Sequence, residues 1–537
     1  MLSPKKIETD FSLRKIDIGI TGEYICLLNW RDARILQVHS GERVEVFPSD
    51  APSRGIVCVL NLLEKNTDDG IEGEVELKSC EIGLYSNAFD RLNLEEGERV
   101  SVKPLTRPAS FDAVKEKFEK GTKMTDEQYM ATIQDIVDNK YPSSLTTYFV
   151  LACAVHQPDD DETASLTKAL VQTGQVLKFD APIVADKHCI GGIPGNRTTP
   201  IVVAIMTSIG VPIPNTFTRS ITSPAGTADT LETYLNVKLS LPQMQRMVEK
   251  VGGCLVWGGA LDMAPADDII IRVEHPLDID SESQMIASIL AKKIAAGNTH
   301  LLLDIPMGPQ AKVKTREAAE HLKSRFENVS EKLGLKTKVV ITDGSAPVGD
   351  GIGPLLEMVD ILKVLREEAD APADLRERSL FLAGQLMEFI GKADPGEGYE
   401  RAKEILERGD ALRAFEEIRK YQGAVEMAPL SETFVEIKAR TDGSITGFHN
   451  RTIVKAAKMA GAPLDPTAGV YLMKHVGENV MQGETLYRIY SSSPTRLETA
   501  RAFVEEQGGG MEIGPSTEPK TEVHLTLNPH KDIVALS

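Results

Sequence analysis

The 537-residue sequence predicts an α/β protein with β-rich ends. Three observations carry that reading. Residues 1 to about 105 alternate short apolar runs with turn residues, as strands do. From about 180, short apolar strands alternate with amphipathic helices, the pattern of a largely parallel sheet. From about 432 the strand pattern returns. A chain this long exceeds one compact core, so three or four domains are expected.

In the N-terminal part the candidate strands are Leu13–Ile20, Arg43–Phe47, Ile56–Leu60 and Glu74–Leu77. One string echoes within it: Gly41-Glu42-Arg43-Val44 through Pro48 returns as Gly97-Glu98-Arg99-Val100 through Pro104. Either this is a commonplace hairpin sequence, or it marks a duplicated half-barrel closed by pseudo-two-fold symmetry. A helical stretch follows. Thr125 to Gln128 fits a capping box, and Met130, Ile133, Ile136 and Val137 share one helix face. Helices over Ser143–Val155 and Asp161–Thr173 continue it, the latter stopped by Gly174.

In the central part Ile183–Ala185, Gly253–Trp257, His300–Ile305 and Lys338–Ile341 are the candidate strands. Helices over about 315–334, 354–368 and 375–391 fill the gaps. Beyond the polar loop 392–400 and another helical pair, Val435–Ala439 and Gly443–Phe448 read as strands. Residues 477–487 resemble the hairpin of biotinyl and lipoyl carrier domains but lack their tip lysine, so they are read as a structural hairpin.

Composition excludes several classes of function. The net charge of −19 repels phosphate backbones, which argues against a nucleic-acid polymer as partner. The six cysteines, at 26, 58, 80, 153, 189 and 254, form no CxxC pair, and no metal-ligand spacing is seen. Scattered cysteines suggest a reducing compartment. The N-terminus has no apolar signal core, and the most apolar segment, Ile201–Pro214, is too interrupted to span a membrane. A cytoplasmic protein is expected.

Three segments carry chemistry. The first, 186–200, reads Asp-Lys-His-Cys-Ile-Gly-Gly-Ile-Pro-Gly-Asn-Arg-Thr-Thr-Pro. A strand, a glycine-rich turn and a helix start, with Thr199 as N-cap and Pro200 in the first turn, make an anion site. Lys187 and Arg197 add full charges. Neither a P-loop nor a dinucleotide fingerprint fits the spacing. The second segment, Thr218–Asp229, packs five hydroxyls and Arg219 among small residues, suited to a phosphate or a ribose. The third runs from Pro265 through Arg272 and Asp280 to Ser288 and Lys292. The last two, four apart on one helix face, are either salt-bridging surface residues or a pair that reads a base.

Together the strings Asp186–Gly192 (DKHCIGG), Ser223–Glu232 (SPAGTADTLE) and Ser288–Lys293 (SILAKK) resemble the pyrimidine-nucleoside phosphorylase family, which includes thymidine phosphorylase and the archaeal AMP phosphorylases. The resemblance covers about 105 to 515. The N-terminal β extension looks like that of the AMP-phosphorylase and related bacterial branch, and the PGNRTTP loop and VWGGA run look closest to bacterial thymidine phosphorylases.

The resemblance implies a class II nucleoside phosphorylase fold. It would comprise a double-psi-barrel-like domain over 1–105, a helical domain over 106–178 completed by about 265–295, an α/β domain over 179–430, and a C-terminal α+β domain over 431–537. It also implies roles. Lys187, Cys189, Thr199 and Thr227 would contact phosphate, Cys189 replacing the family's usual serine. Gly192 and the run Thr218, Arg219, Ser220, Ile221, Thr222 and Ser223 would line the nucleotide site. Arg272, with a one-residue shift in register, Ser288 and Lys292 would hold the base.

His188 would be the acid of the thymidine enzymes, and Asp280 matches the proton donor of the AMP enzymes. Phe217, where related loops carry a small hydroxyl residue, would narrow the cleft. The implied reaction is thymidine plus phosphate giving thymine and 2-deoxy-α-D-ribose 1-phosphate. An AMP phosphorylase yielding free base and ribose 1,5-bisphosphate is the alternative, with Arg197 and Arg219 suited to a 5′-phosphate or to inorganic phosphate. More distant are an anthranilate phosphoribosyltransferase-like transferase and a non-enzymatic assembly module. The expected partners are a nucleoside or nucleotide and phosphate, with no metal or organic cofactor, in a homodimer or larger homo-oligomer.

Overall fold

The computed structural model describes residues 9–19, 22–63, 77–220, 223–261, 263–277, 279, 281–515, 525–526 and 535–536. Two compact units divide the chain: 1–173 with 265–288, and 174–264 with 289–537.

The first unit opens with six strands, β1 Thr9–Ile16, β2 Ile25–Asn29, β3 Arg43–Pro48, β4 Ile56–Leu63, β5 Glu81–Tyr85 and β6 Arg99–Pro104. They close into a barrel in the order β1-β5-β2-β4-β3-β6. The echo in the sequence is a duplication. β2, the helix Trp30–Leu36 and β3 recur 56 positions later as β5, the helix Ser86–Leu92 and β6. Even the left-handed helix caps match, Gln37 at φ 56° and Asn93 at φ 51°.

Strand pairing obeys the same symmetry: β3 meets β6 antiparallel about Val46↔Val102, and β2 meets β5 about Leu27↔Gly83. Inward residues such as Phe11, Leu28, Val44, Leu84 and Val100 fill the barrel. Strand β1 stops at Ile16, short of the expected Ile20, which lies outside the described residues. Residues 74–76 of the Glu74–Leu77 run also lie outside them, and Leu77 is buried but not in a strand.

Arg43 fastens the barrel to the helices behind it, donating from Nε to the Asn139 carbonyl at 2.6 Å. Those helices are Phe111–Lys120, Asp126–Val137, Ser143–Val155, Asp160–Gln172 and Pro265–Leu277. Thr125 makes the expected capping box with Gln128. A buried ion pair, Lys117 Nζ to Glu162 at 2.7 Å, ties two of the helices together.

In the second unit β7 Ala185–Cys189, β8 Ile213–Phe217, β9 Gly253–Trp257, β10 His300–Met307 and β11 Lys336–Asp343 pair only in parallel, as β11-β10-β7 and β8-β9. The expected strand Ile183–Ala185 is displaced: β7 begins at Ala185 and carries Asp186, Lys187 and His188 itself. Charged residues hid it from a hydrophobicity reading, because their burial depends on distant partners. The helix Thr198–Ser208 has Arg197 as N-cap, so Thr199 is its second residue and not the cap. Pro200 still falls among the first four positions, whose N–H groups have no intrahelical partner.

The C-terminal layer adds β12 Gly351–Ile352, β13 Phe434–Lys438, β14 Gly443–Phe448, β15 Gly469–Leu472, β16 Asn479–Val480, β17 Thr485–Tyr490 and β18 Met511–Gly514. These form the sheets β12-β15-β17-β13 and β16-β14-β18. The expected hairpin over 477–487 is therefore corrected. β16 pairs with β14 while β17 pairs with β13 and β15, so the two strands part into different sheets. Local turn chemistry at Gly477 and Gly483 is that of a hairpin, but the partners are chosen by residues far away in sequence. No helix among the described residues is long and apolar enough to cross a membrane.

Candidate active site

The segment expected to bind an anion stands at the carboxyl end of β7, the edge at which parallel sheets hold their ligands. Asp186, Lys187 and His188 are successive residues of that strand, so alternate side chains leave it on opposite faces. Lys187 is 1% exposed. Its Nζ donates to Thr198 Oγ1 at 2.8 Å and to Thr199 Oγ1 at 3.3 Å, both at the start of the helix that follows. Among the described residues it meets hydroxyls, not carboxylates. Hydroxyls orient an ammonium without cancelling its charge, so it remains available to an anion.

On the other face Asp186 is completely buried and serves as the anchor. Its carboxylate accepts from the Lys187 N–H at 2.7 Å, Asn215 Nδ2 at 2.5 Å and Lys293 Nζ at 2.7 Å. Lys293 also donates to the Thr216 carbonyl at 2.8 Å, which joins the end of the Glu282–Ala295 helix to β7 and β8. A buried pair of this kind is weak evidence for stability but a tight constraint on geometry.

His188 is half-buried, and its pKa is held well below the ordinary value, first by burial and then by Lys293, Lys187 and Lys292. The imidazole is therefore neutral near pH 7 in the unliganded protein. Cys189 sits opposite Asp304 in the β7–β10 register. Burial, with the Asp304 carboxylate second, pushes its thiol up to about 12. Its sulfur accepts from the Gly191 N–H at 3.4 Å, so it acts as a small hydrogen-bonding side chain and not as a thiolate. Gly192 continues the turn at φ 95°, with the Lys312 backbone too close for a side chain.

The hydroxyl loop is held by one carboxylate. Asp229 accepts from the N–H groups of Ser220 at 2.7 Å and Gly226 at 2.9 Å, which ties these two residues together. Ser220 donates to the Ser223 carbonyl, and Ser223 to the Ala225 carbonyl at 2.8 Å. Thr218 accepts at its carbonyl from the Ala228 N–H at 3.4 Å. Ile221 and Thr222 lie outside the described residues.

Both arginines expected at a phosphate are engaged within the protein. Arg197 pairs with buried Glu357 at 2.5 Å and donates to the Ala225 carbonyl, joining the glycine turn to the hydroxyl loop. Arg219 pairs with Asp229 at 3.0 Å and Glu232 at 2.7 Å, over the Trp257 ring. Phe217 ends β8 at 7% exposure within the apolar core.

The residues expected to hold a base lie on two helices. Arg272 belongs to Pro265–Leu277, and its guanidinium packs against Gly22, where a Cβ would collide with it. Ser288 and Lys292 are one turn apart on Glu282–Ala295, and Ser288 Oγ donates to Asp267 at 2.8 Å. Lys292 is near enough for its charge to depress the His188 pKa. Asp280 lies outside the described residues.

The sequence reading missed Asp186, Thr198, Asp229, Lys293 and Glu357 as the residues that fix this geometry. For Glu357 the local signal was a charge in an apolar setting, Pro354-Leu-Leu-Glu-Met358; Thr198 is uncharged and gave no such signal. Among the described residues no cluster of three or more His, Cys, Asp or Glu could hold a metal ion.

Residues 181–412 match the model of the glycosyl transferase family, a/b domain, and 444–507 that of the pyrimidine nucleoside phosphorylase C-terminal domain. With a glycine turn at the carboxyl edge of parallel strands, this makes the protein an enzyme of the pentosyl-transferring class. Relatives named "Putative thymidine phosphorylase" match nearly end to end. That of Rhodopseudomonas palustris (strain ATCC BAA-98 / CGA009) is 45% identical over 95% of this chain and 97% of its own. That of Polaromonas sp. is 42% identical over 94% of this chain and 96% of its own. The chain belongs to the pyrimidine-nucleoside phosphorylase family. Among solved structures, anthranilate phosphoribosyltransferase from Thermus thermophilus aligns at a TM-score of 0.49 and 17% identity, over 58% of this chain and 99% of its own.

Proposed function

We propose that the enzyme cleaves the N-glycosidic bond of thymidine with inorganic phosphate, giving thymine and 2-deoxy-α-D-ribose 1-phosphate. The observation that carries this reading is the near-complete match to relatives bearing the thymidine phosphorylase name. Lys187, presented by the Thr198 and Thr199 hydroxyls, holds the phosphate beside the glycine turn. Positioning the nucleophile at the anomeric carbon supplies much of the rate, as an entropic contribution.

Arg272, Ser288 and Lys292 hold the base, whose departing negative charge a cation or an acid must stabilise. Burial is the first cause that keeps His188 neutral, and a phosphate dianion nearby would offset the second, the charges of Lys293, Lys187 and Lys292, so phosphate binding favours a proton on His188. Asp280 is the alternative acid. Thr227, Cys189, Gly192 and the 218–223 run complete the phosphate and sugar contacts. The enzyme acts in the cytoplasm as a homo-oligomer.

A nucleoside 5′-monophosphate needs a second cationic pocket. Arg197 and Arg219, the residues best placed in sequence to make one, are already paired with Glu357, Asp229 and Glu232, which favours the nucleoside. The test is phosphate-dependent base release from thymidine, uridine, AMP and CMP measured side by side. Release from thymidine is expected; release from the monophosphates alone would overturn the assignment.

A further inference from the structure

The segment Ser345–Gly353 underlies the glycine turn. The Val348 N–H donates to the Pro194 carbonyl at 3.1 Å. Gly195 has φ 72°, and a Cβ there would strike the carbonyl oxygens of Val348 and Gly351. Where this segment lies therefore decides where the turn lies.

Carboxylates fasten the segment from below. The Gly349 N–H donates to both oxygens of Asp374, at 3.0 and 3.2 Å. The N–H groups of Asp350 and Gly351 donate to Asp360 Oδ2 at 2.8 and 2.7 Å, and Asp360 is 1% exposed. Asp350 points its own carboxylate the other way, toward the C-terminal layer. It pairs with His475 Nε2 at 3.0 Å and accepts from Tyr471 Oη at 3.3 Å, while its carbonyl accepts from the Leu472 N–H at 2.8 Å. Burial opposes protonation of His475, yet its bond to Asp350 and the charges of Asp374, Asp350 and Glu478 hold its pKa above the ordinary value. The His475 imidazole of the C-terminal layer is thus connected to the glycine turn through one short loop.

We propose that His475 and Asp350, with Asp360 beneath them, are positioning residues for phosphate: the C-terminal layer sets the geometry of the turn through the Asp350 loop. This rests on the anion site assigned above. It gives that layer a part in substrate binding as well as in stability.

The test compares His475→Ala and His475→Gln in the full chain, with phosphate and thymidine varied separately. Losing one hydrogen bond to a charged group should raise the phosphate KM about tenfold in His475→Ala. The thymidine KM and kcat should move less than about twofold, a split that general loosening does not produce. Glutamine, which keeps a donor for Asp350, should restore the phosphate KM. An unchanged phosphate KM in His475→Ala, or both KM values rising together, overturns the proposal.

Titration calorimetry with inorganic phosphate alone separates this idea from the proposed reaction. If the wild-type chain binds phosphate, His475→Ala weakens that binding, and no nucleoside is cleaved, the reaction is wrong and the positioning role stands. A wild-type chain that does not bind phosphate overturns both. Asp360→Asn provides a second variant with the same expected split.

Discussion

Lys187 leaves β7 with its Nζ against the hydroxyls of Thr198 and Thr199. Replacing it with alanine removes one charge-assisted contact to phosphate, about 1.5–3 kcal/mol, so the phosphate KM should rise roughly 10- to 100-fold. Initial-rate kinetics with each substrate varied will show it, and the thymidine KM should stay nearly fixed. His188 gives a second prediction. Its pKa in the folded protein is depressed, so the unfolded chain binds a proton, near the ordinary value of 6.5, that the native state refuses. Stability rises with pH where the unfolded state binds more protons, so His188 costs the native state stability as pH falls through 6.5. The variant His188→Gln should gain on the wild type below that pH by up to about 1.4 kcal/mol per unit. Urea melts at pH 7.5 and 5.5 check this, and added phosphate should shrink the difference.

At the level of elements, strand β7 tolerates three polar residues because the Glu282–Ala295 helix delivers Lys293 to Asp186. Lys293→Met would leave the Asp186 carboxylate buried without its cation, at a cost of about 3–5 kcal/mol in chemical denaturation. Adding Asp186→Asn should recover part of that loss, since an uncharged amide needs no counterion. The glycine turn and the hydroxyl loop depend on a similar device. Arg197 between Glu357 and the Ala225 carbonyl joins the glycine-rich turn to the hydroxyl loop, and the pair takes up a cation that sequence alone offers to the ligand.

For the whole molecule, the duplicated barrel is a closed sheet with its own core, joined to the helices by Arg43 and Asn139. Removing 1–105 should give a smaller assembly in light scattering while some phosphorolysis survives. An unchanged mass would assign the assembly contacts elsewhere. That deletion would also free Arg272 from its contact with Gly22, so any kinetic loss should fall on the nucleoside KM more than on the phosphate KM.

Much of this was legible in order along the chain. The helix Ser143–Val155 and the strands Gly253–Trp257 and Gly443–Phe448 fall where the local sequence pattern places them. The echo at Gly41 and Gly97 foreshadowed the duplication, and the glycine turn beside Lys187 was legible as a turn between a strand and a helix. Long-range packing settled the rest. It placed charged β7 beside β10 with Asp186 buried, sent β16 and β17 to different sheets, consumed Arg197 and Arg219 in ion pairs, and linked His475 to the turn. The physical reason is the same in each case. A turn or an amphipathic face is set by neighbours in sequence, whereas a buried charge is set by whichever partner the fold brings to it. Chain order alone marked out the residues to which the chemistry is assigned by proposal; which of them are drawn into ion pairs was decided by the fold.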